Sequence, residues 1–146
     1  MTVLSKRSFL LLGGAAIAAV AGVGYATSGT QTGAGFEHRF LTVDDMQAAG
    51  ALIVDIRTPQ EWRDTGVIDG AKLVTFRGEA GFADTFTAAL GDELDAGRNV
   101  VLICRSGNRT QAAARALSAR ISNPVISVEG GMRKLMASGY RPVPPT

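Results

Sequence analysis

Residues 99–120 read NVVLICRSGNRTQAAARALSAR: a short β-branched run ending at Cys104, a polar loop, and a stretch rich in alanine. The order implied is strand, loop, helix. Asn99 to Ile103 has the length and apolar character of a buried strand. From Thr110 to Arg120 the small apolar residues Ala112, Ala113, Ala116 and Leu117 recur on one helical face, with Gln111, Arg115 and Ser118 lying largely off it. A face of such small side chains lets a helix pack closely on a sheet.

The same alternation extends in both directions. Upstream, Leu52 to Ile56 is a compact β-branched run, followed by Pro59 at a first helical position with Glu61, Trp62 and Arg63 inside a short helix. Lys72 to Phe76 predicts a second strand, and Phe82, Phe86 and Leu90 recur every four residues as one helical face. Downstream, Pro124 precedes the run Val125 to Val128, and Gly130 and Gly131 lead into a last helix ending near Gly139. Strands alternating with helices predict an α/β fold in three α/β/α layers, a parallel sheet covered on both faces.

The chain has 146 residues, 46% hydrophobic and 19% charged, enough for one domain with a sizeable core. Its formal charge of +2 comes from Lys6 and Arg7, since the residues after Ala26 carry thirteen basic and thirteen acidic side chains. No clustered basic surface is implied, so nucleic acid is not an expected partner. One cysteine and one histidine, Cys104 and His38, provide neither an intramolecular disulfide nor a structural zinc set. No metal site is expected.

Residues 1–26 have the parts of an export signal: the cations Lys6 and Arg7, an apolar Gly- and Ala-rich run from Phe9 to Tyr25, and small residues Gly24 and Ala26 before a cleavage point. Lys6 and Arg7 followed by Ser8, Phe9 and Leu10 resemble a twin-arginine signal with Lys in place of the first Arg. The apolar run, about 25 Å as a helix, is short of a hydrocarbon core of about 30 Å. The expectation is therefore an exported protein of the periplasm or cell envelope, in membrane contact only if the segment is retained as a tether. Residues 27–35 are expected to be a flexible linker and 36–146 the folded domain.

In a parallel sheet, sites form where loops leave the carboxyl ends of strands, and Cys104 stands at that point. After it come Arg105, Ser106, Gly107, Asn108 and Arg109, and then a helix. Loop amides, the positive end of a helix and two arginines all favour thiolate over thiol. A structural thiol would not need so polar a setting. Cys104 is the expected nucleophile.

The run from Cys104 to Thr110 resembles the active-site loop of rhodanese-like sulfurtransferases. Asp55, Arg57, Glu61, Trp62, Gly66, Ile68, Gly70 and Ala71 are similar to a second motif of that family, and Glu129, Gly130 and Gly131 through Gly139 and Tyr140 to its closing segment. The resemblance spans about residues 37–142, with Val67 where the family often has His and Leu135 where it often has Trp. It implies a single rhodanese-like domain with a five-stranded parallel sheet, and a loop cradling a sulfur atom on Cys104. It also implies transfer of that sulfur from a small anionic donor such as thiosulfate to a thiol or other thiophilic acceptor, a protein acceptor included, with no metal or organic cofactor.

Within that frame Arg105 offers a charge to the donor, Gly107 a turn with positive φ, and Arg109 a brace or anion contact. Ser106 and Asn108 are either hydrogen-bond donors to the persulfide or loop punctuation. Asp55 is expected to orient loop amides, Arg57 and Glu61 to form an ion pair four residues apart, Trp62 to lie in the core, and His38 to be solvated. Two enzymatic rivals are weak. A cysteine protease needs a base beside the thiol. The related phosphatases have five residues between Cys and Arg, against four here, Arg105 to Asn108.

Overall fold

The computed structural model describes residues 31–33, 35–94 and 97–146. The export-signal expectation at 1–26 and the first part of the linker lie outside them. The strands are β1 (Gln31–Gly33), β2 (Phe36–Arg39), β3 (Leu52–Asp55), β4 (Lys72–Leu73), β5 (Val100–Ile103) and β6 (Val125–Val128). The helices are α1 (Val43–Ala48), α2 (Pro59–Thr65), α3 (Phe82–Leu90), α4 (Asn108–Ser118) and α5 (Gly131–Ala137).

The sheet order is β1-β2-β6-β5-β3-β4. Five of these strands, β2-β6-β5-β3-β4, run parallel, as expected. The sixth, β1, pairs antiparallel with β2 from within the stretch read as a linker, with Gly35 at φ +87° on the turn between them. That pairing supplies partners to the outer edge of β2, which would otherwise be open. Among the described residues no helix is long and apolar enough to cross a membrane.

Alternation along each strand sorts the core into two halves. Leu52, Val54, Val100, Leu102 and Val125 face α3 and α4, where Phe82, Phe86, Ala113, Ala114 and Leu117 close over them. Ile53, Val101, Ile103, Ile126 and Val128 face α1 and α5 through Val43, Met46, Met132 and Leu135. The buried stripe of α4 is Thr110, Ala113, Ala114 and Leu117, whereas Ala112 and Ala116 are only half buried. The face is thus rotated from the expected one, because Thr110 starts the stripe and carries it from i to i+3, i+4 and i+7.

Counting on from Leu102 by the same alternation, Cys104 projects under α4 and belongs to the α3/α4 core half. The fold therefore delivers the thiol to the base of a helix N-terminus.

Candidate active site

Cys104 is buried, 1% exposed, directly after β5. Its Sγ accepts a hydrogen bond from the backbone N–H of Gly107 at 3.1 Å and lies 3.9 Å from Thr110 Oγ1. Gly107 has φ +90° and precedes α4 as its N-cap. A Cβ there would fall 2.9 Å from Gly130 N and 3.0 Å from Val128 O, so both conformation and space require glycine.

The loop is held from behind by α5. Met132 N–H donates to the Cys104 carbonyl at 2.9 Å and Arg133 N–H to the Arg105 carbonyl at 3.1 Å. With those carbonyls turned to α5, the amide N–H groups of the same trans peptide units, on Arg105 and Ser106, face away from it. Gly131, at φ +53°, makes the docking possible: a Cβ would overlap the Cys104 carbonyl oxygen and stand 2.9 Å from Arg105 C and Ser106 N. Gly131→Ala should therefore push the loop out of place, lowering stability by about 1–3 kcal/mol and the reactivity of Cys104 by about a hundredfold. A thermal melt and the rate of Cys104 alkylation read the two effects separately.

Asp55 and Arg57, at the end of the neighbouring strand β3, are 0% and 2% exposed. Arg57 donates to both carboxylate oxygens of Asp55, from Nε at 3.0 and 2.9 Å and from Nη2 at 2.7 Å. The expected Arg57–Glu61 ion pair is absent: Arg57 reaches only the Glu61 backbone carbonyl, at 3.2 Å. The Glu61 carboxylate instead takes the Arg109 guanidinium in a two-pronged pair at 2.8 and 2.6 Å. A closer acid, Asp55, outcompetes Glu61 for Arg57. Asp55 does orient one amide, accepting from Arg57 N at 3.0 Å.

Arg109 thus braces the loop against α2, and Glu61 also closes a capping box with Thr58 at the start of that helix. Arg109 first, then the Thr58 contacts, hold the Glu61 carboxyl down to about 2 from its ordinary 4.5. A depressed folded value means a contribution that is complete above about 4.5 and lost as pH falls toward 2. Glu61→Gln should accordingly be less stable than the parent at neutral pH, and the gap between their melting curves should close on acidification. In turn Arg109 is kept charged by Glu61, with smaller contributions from Cys104 and Asp55.

Arg105 is exposed at the loop tip, Ser106 is half buried, and Asn108 is exposed. A cleft of about 360 Å³ beside the loop is lined by Arg57, Glu61, Asp64, Thr65, Arg105, Met132, Arg133 and Met136. A shallower one of about 330 Å³ lies against Ser106, Gly130, Arg133 and Lys134. Arg133, common to both, completes with Arg105 a cationic rim that the spacing of the loop alone did not reveal. Met136, 38% exposed, is the exposed large apolar side chain on this rim.

Two expectations are corrected. Trp62 is half buried on α2, a helix with no buried residue, and its indole Nε1 is enclosed without a hydrogen-bond partner. His38 is half buried rather than solvated, with Nδ1 2.9 Å from the Oγ of Ser127, its neighbour in register on β6. Alternation on β2 turns His38 toward α4 with Phe36, which the charged flanks Glu37 and Arg39 concealed. Val67 is buried and bridges to Val143, and Leu135 is fully buried, so the two departures from the family pattern serve packing.

Comparison with known proteins places this geometry. The model of the rhodanese-like domain matches residues 42–138. Among solved structures, a rhodanese-like domain protein from Staphylococcus aureus is 25% identical, with 67% of this chain and 90% of that one covered at a TM-score of 0.50. A protein from Staphylococcus saprophyticus is 24% identical, covering 69% and 96% at 0.50. An uncharacterised protein from Saccharomyces cerevisiae is 22% identical, covering 69% and 92% at 0.53. None of the curated proteins matches the chain.

Proposed function

Because the chain belongs to the rhodanese-like domain family, we propose that it is a sulfurtransferase carrying sulfane sulfur as a persulfide on Cys104. The observation that supports this most directly is the seating of the only cysteine at the N-terminus of α4, its sulfur receiving the Gly107 N–H at 3.1 Å. An amide donor and the positive end of an eleven-residue helix both favour negative charge on sulfur, and thiolate is the nucleophilic form.

The first half-reaction forms a bond between Sγ and the outer sulfur of an anionic donor such as thiosulfate. The bond from that outer sulfur to the central one breaks, and sulfite leaves with the electron pair. In the second, a thiolate or other thiophile bonds to the outer sulfur of the persulfide and the Cys104 thiolate departs, restoring the starting state. Arg105 and Arg133 draw the anion to the loop, and the amides of Arg105 and Ser106 solvate the bound sulfur. The acceptor is a small thiol or a protein thiol. Export remains part of the proposal on the composition of residues 1–26 alone.

Phosphate-ester hydrolysis is the competing chemistry for a cysteine in such a loop. It needs an arginine turned to the oxyanion, and Arg109 is committed to Glu61 through Nη1 and Nη2. The test is intact-mass measurement of the purified chain after thiosulfate treatment. One added sulfur, removed again by a thiol, is the expected result. Steady hydrolysis of an aryl phosphate without sulfur uptake would replace this function with the phosphatase.

A further inference from the structure

A line of polar side chains crosses the otherwise apolar packing under α4. From Cys104 Sγ it runs 3.9 Å to Thr110 Oγ1, 2.7 Å on to Ser127 Oγ, and 2.9 Å on to His38 Nδ1. Thr110 and Ser127 are both 0% exposed, and Ser127 interrupts a strand whose other residues are all aliphatic. A buried hydroxyl is costly unless partnered, and here each is partnered by the next.

A hydroxyl donates once and accepts twice, so the line has two self-consistent states. In the first, the thiol donates to Thr110, Thr110 to Ser127, and Ser127 to a neutral His38. In the second, a protonated His38 donates to Ser127, Ser127 to Thr110, and Thr110 to a thiolate. They differ by one proton moved from Sγ to Nδ1; each hydroxyl releases one proton and receives one, and no bond between heavy atoms changes. The Thr110 hydroxyl also has the Gly107 carbonyl as an acceptor at 2.9 Å, and it must turn from that carbonyl to Ser127 for the first state to form.

We propose that His38 accepts the Cys104 proton through Thr110 and Ser127, making it a remote positioning residue for the nucleophile. The inference rests on the reading of Cys104 as a thiolate nucleophile. Near His38 stand Glu129, whose carboxyl feels the imidazole, with Lys134 paired to Glu129, and the mutually paired Glu37 and Arg39. The cations of α4, Arg109 and Arg115, are committed to Glu61 and Glu79. On the Cys104 side stand Arg109, itself paired with Glu61, Arg105 next in the chain, and the mutually paired Asp55 and Arg57 at the end of β3, the strand beside β5.

The test is the rate of Cys104 alkylation by iodoacetamide across pH 5 to 9.5, which needs no sulfur donor. Ser127→Ala, which cuts the line, and His38→Gln, which keeps a hydrogen-bonding group but no base, should each move the half-maximal rate to higher pH. Alkylation near pH 6 should slow about three- to tenfold while the alkaline plateau stays unchanged. Ser127→Thr should restore the parent profile. Superimposable profiles would overturn the relay, as would slowing by the same factor at every pH, which marks a packing defect. If Ser127→Ala does not fold, His38→Gln at a half-exposed position carries the result. Normal alkylation with no persulfide from thiosulfate would count against the sulfurtransferase and leave the relay standing.

Discussion

Cys104→Ser should lose persulfide formation completely and sulfur transfer by at least about a thousandfold. The side chain sits where only its chemistry distinguishes the two residues. Serine Oγ fits within the same buried space and faces the same Gly107 N–H. Stability should therefore change by no more than about 1 kcal/mol. An alcohol is not ionised at neutral pH, and no second cysteine exists to take over. Thermal melting together with intact mass after thiosulfate treatment separates the two effects. Undiminished transfer by the serine variant would require a different nucleophile and end the persulfide mechanism.

What could be read in advance follows from how local the signals are. The run Val100 to Ile103 is apolar on both faces and can only be a central strand, so the place of Cys104 at its carboxyl end was legible. Phe82, Phe86 and Leu90 gave α3 because each of the three is buried in one stripe. β2 was not legible: Phe36, Glu37, His38 and Arg39 are mostly polar, and they form a strand because β6 and β1 supply hydrogen bonds on both sides. α1 escaped too, since six residues give less than two turns of periodicity and only Val43 and Met46 are buried.

The site shows the same division. Sequence order put Arg105 to Arg109 around the cysteine, but pairing across the fold decided what each arginine does. Arg57 and Glu61 are four apart in sequence, yet Asp55 lies closer to Arg57 in space and Arg109, forty-eight residues on, completes Glu61. Gly131 was visible only as part of a motif; its need for glycine comes from the Cys104 carbonyl packed against its α-carbon. Thr110, Ser127 and His38 come from three elements, and no spacing rule joins them.

Arg57→Ala should have the largest effect on stability, about 3–5 kcal/mol, lowering the melting temperature on the order of 10 to 30 °C for a domain of this size. The guanidinium joins two parts of the fold. One edge neutralises Asp55 at the end of β3, and the other donates to Thr65 Oγ1 and the Gly66 carbonyl, both at 2.6 Å, at the far end of α2. Truncation leaves the fully buried Asp55 carboxylate, among the described residues, with only the Arg57 amide and frees the end of α2, on which Glu61 must stand to brace Arg109. Because most of the penalty is the stranded charge, Asp55→Leu combined with Arg57→Met should recover much of it, although either change alone does not. Calorimetric melts of the two single variants and the double variant check this. An Arg57→Ala melt within a few degrees of the parent would mean that solvent reaches Asp55 and that the clamp between β3 and α2 lies elsewhere.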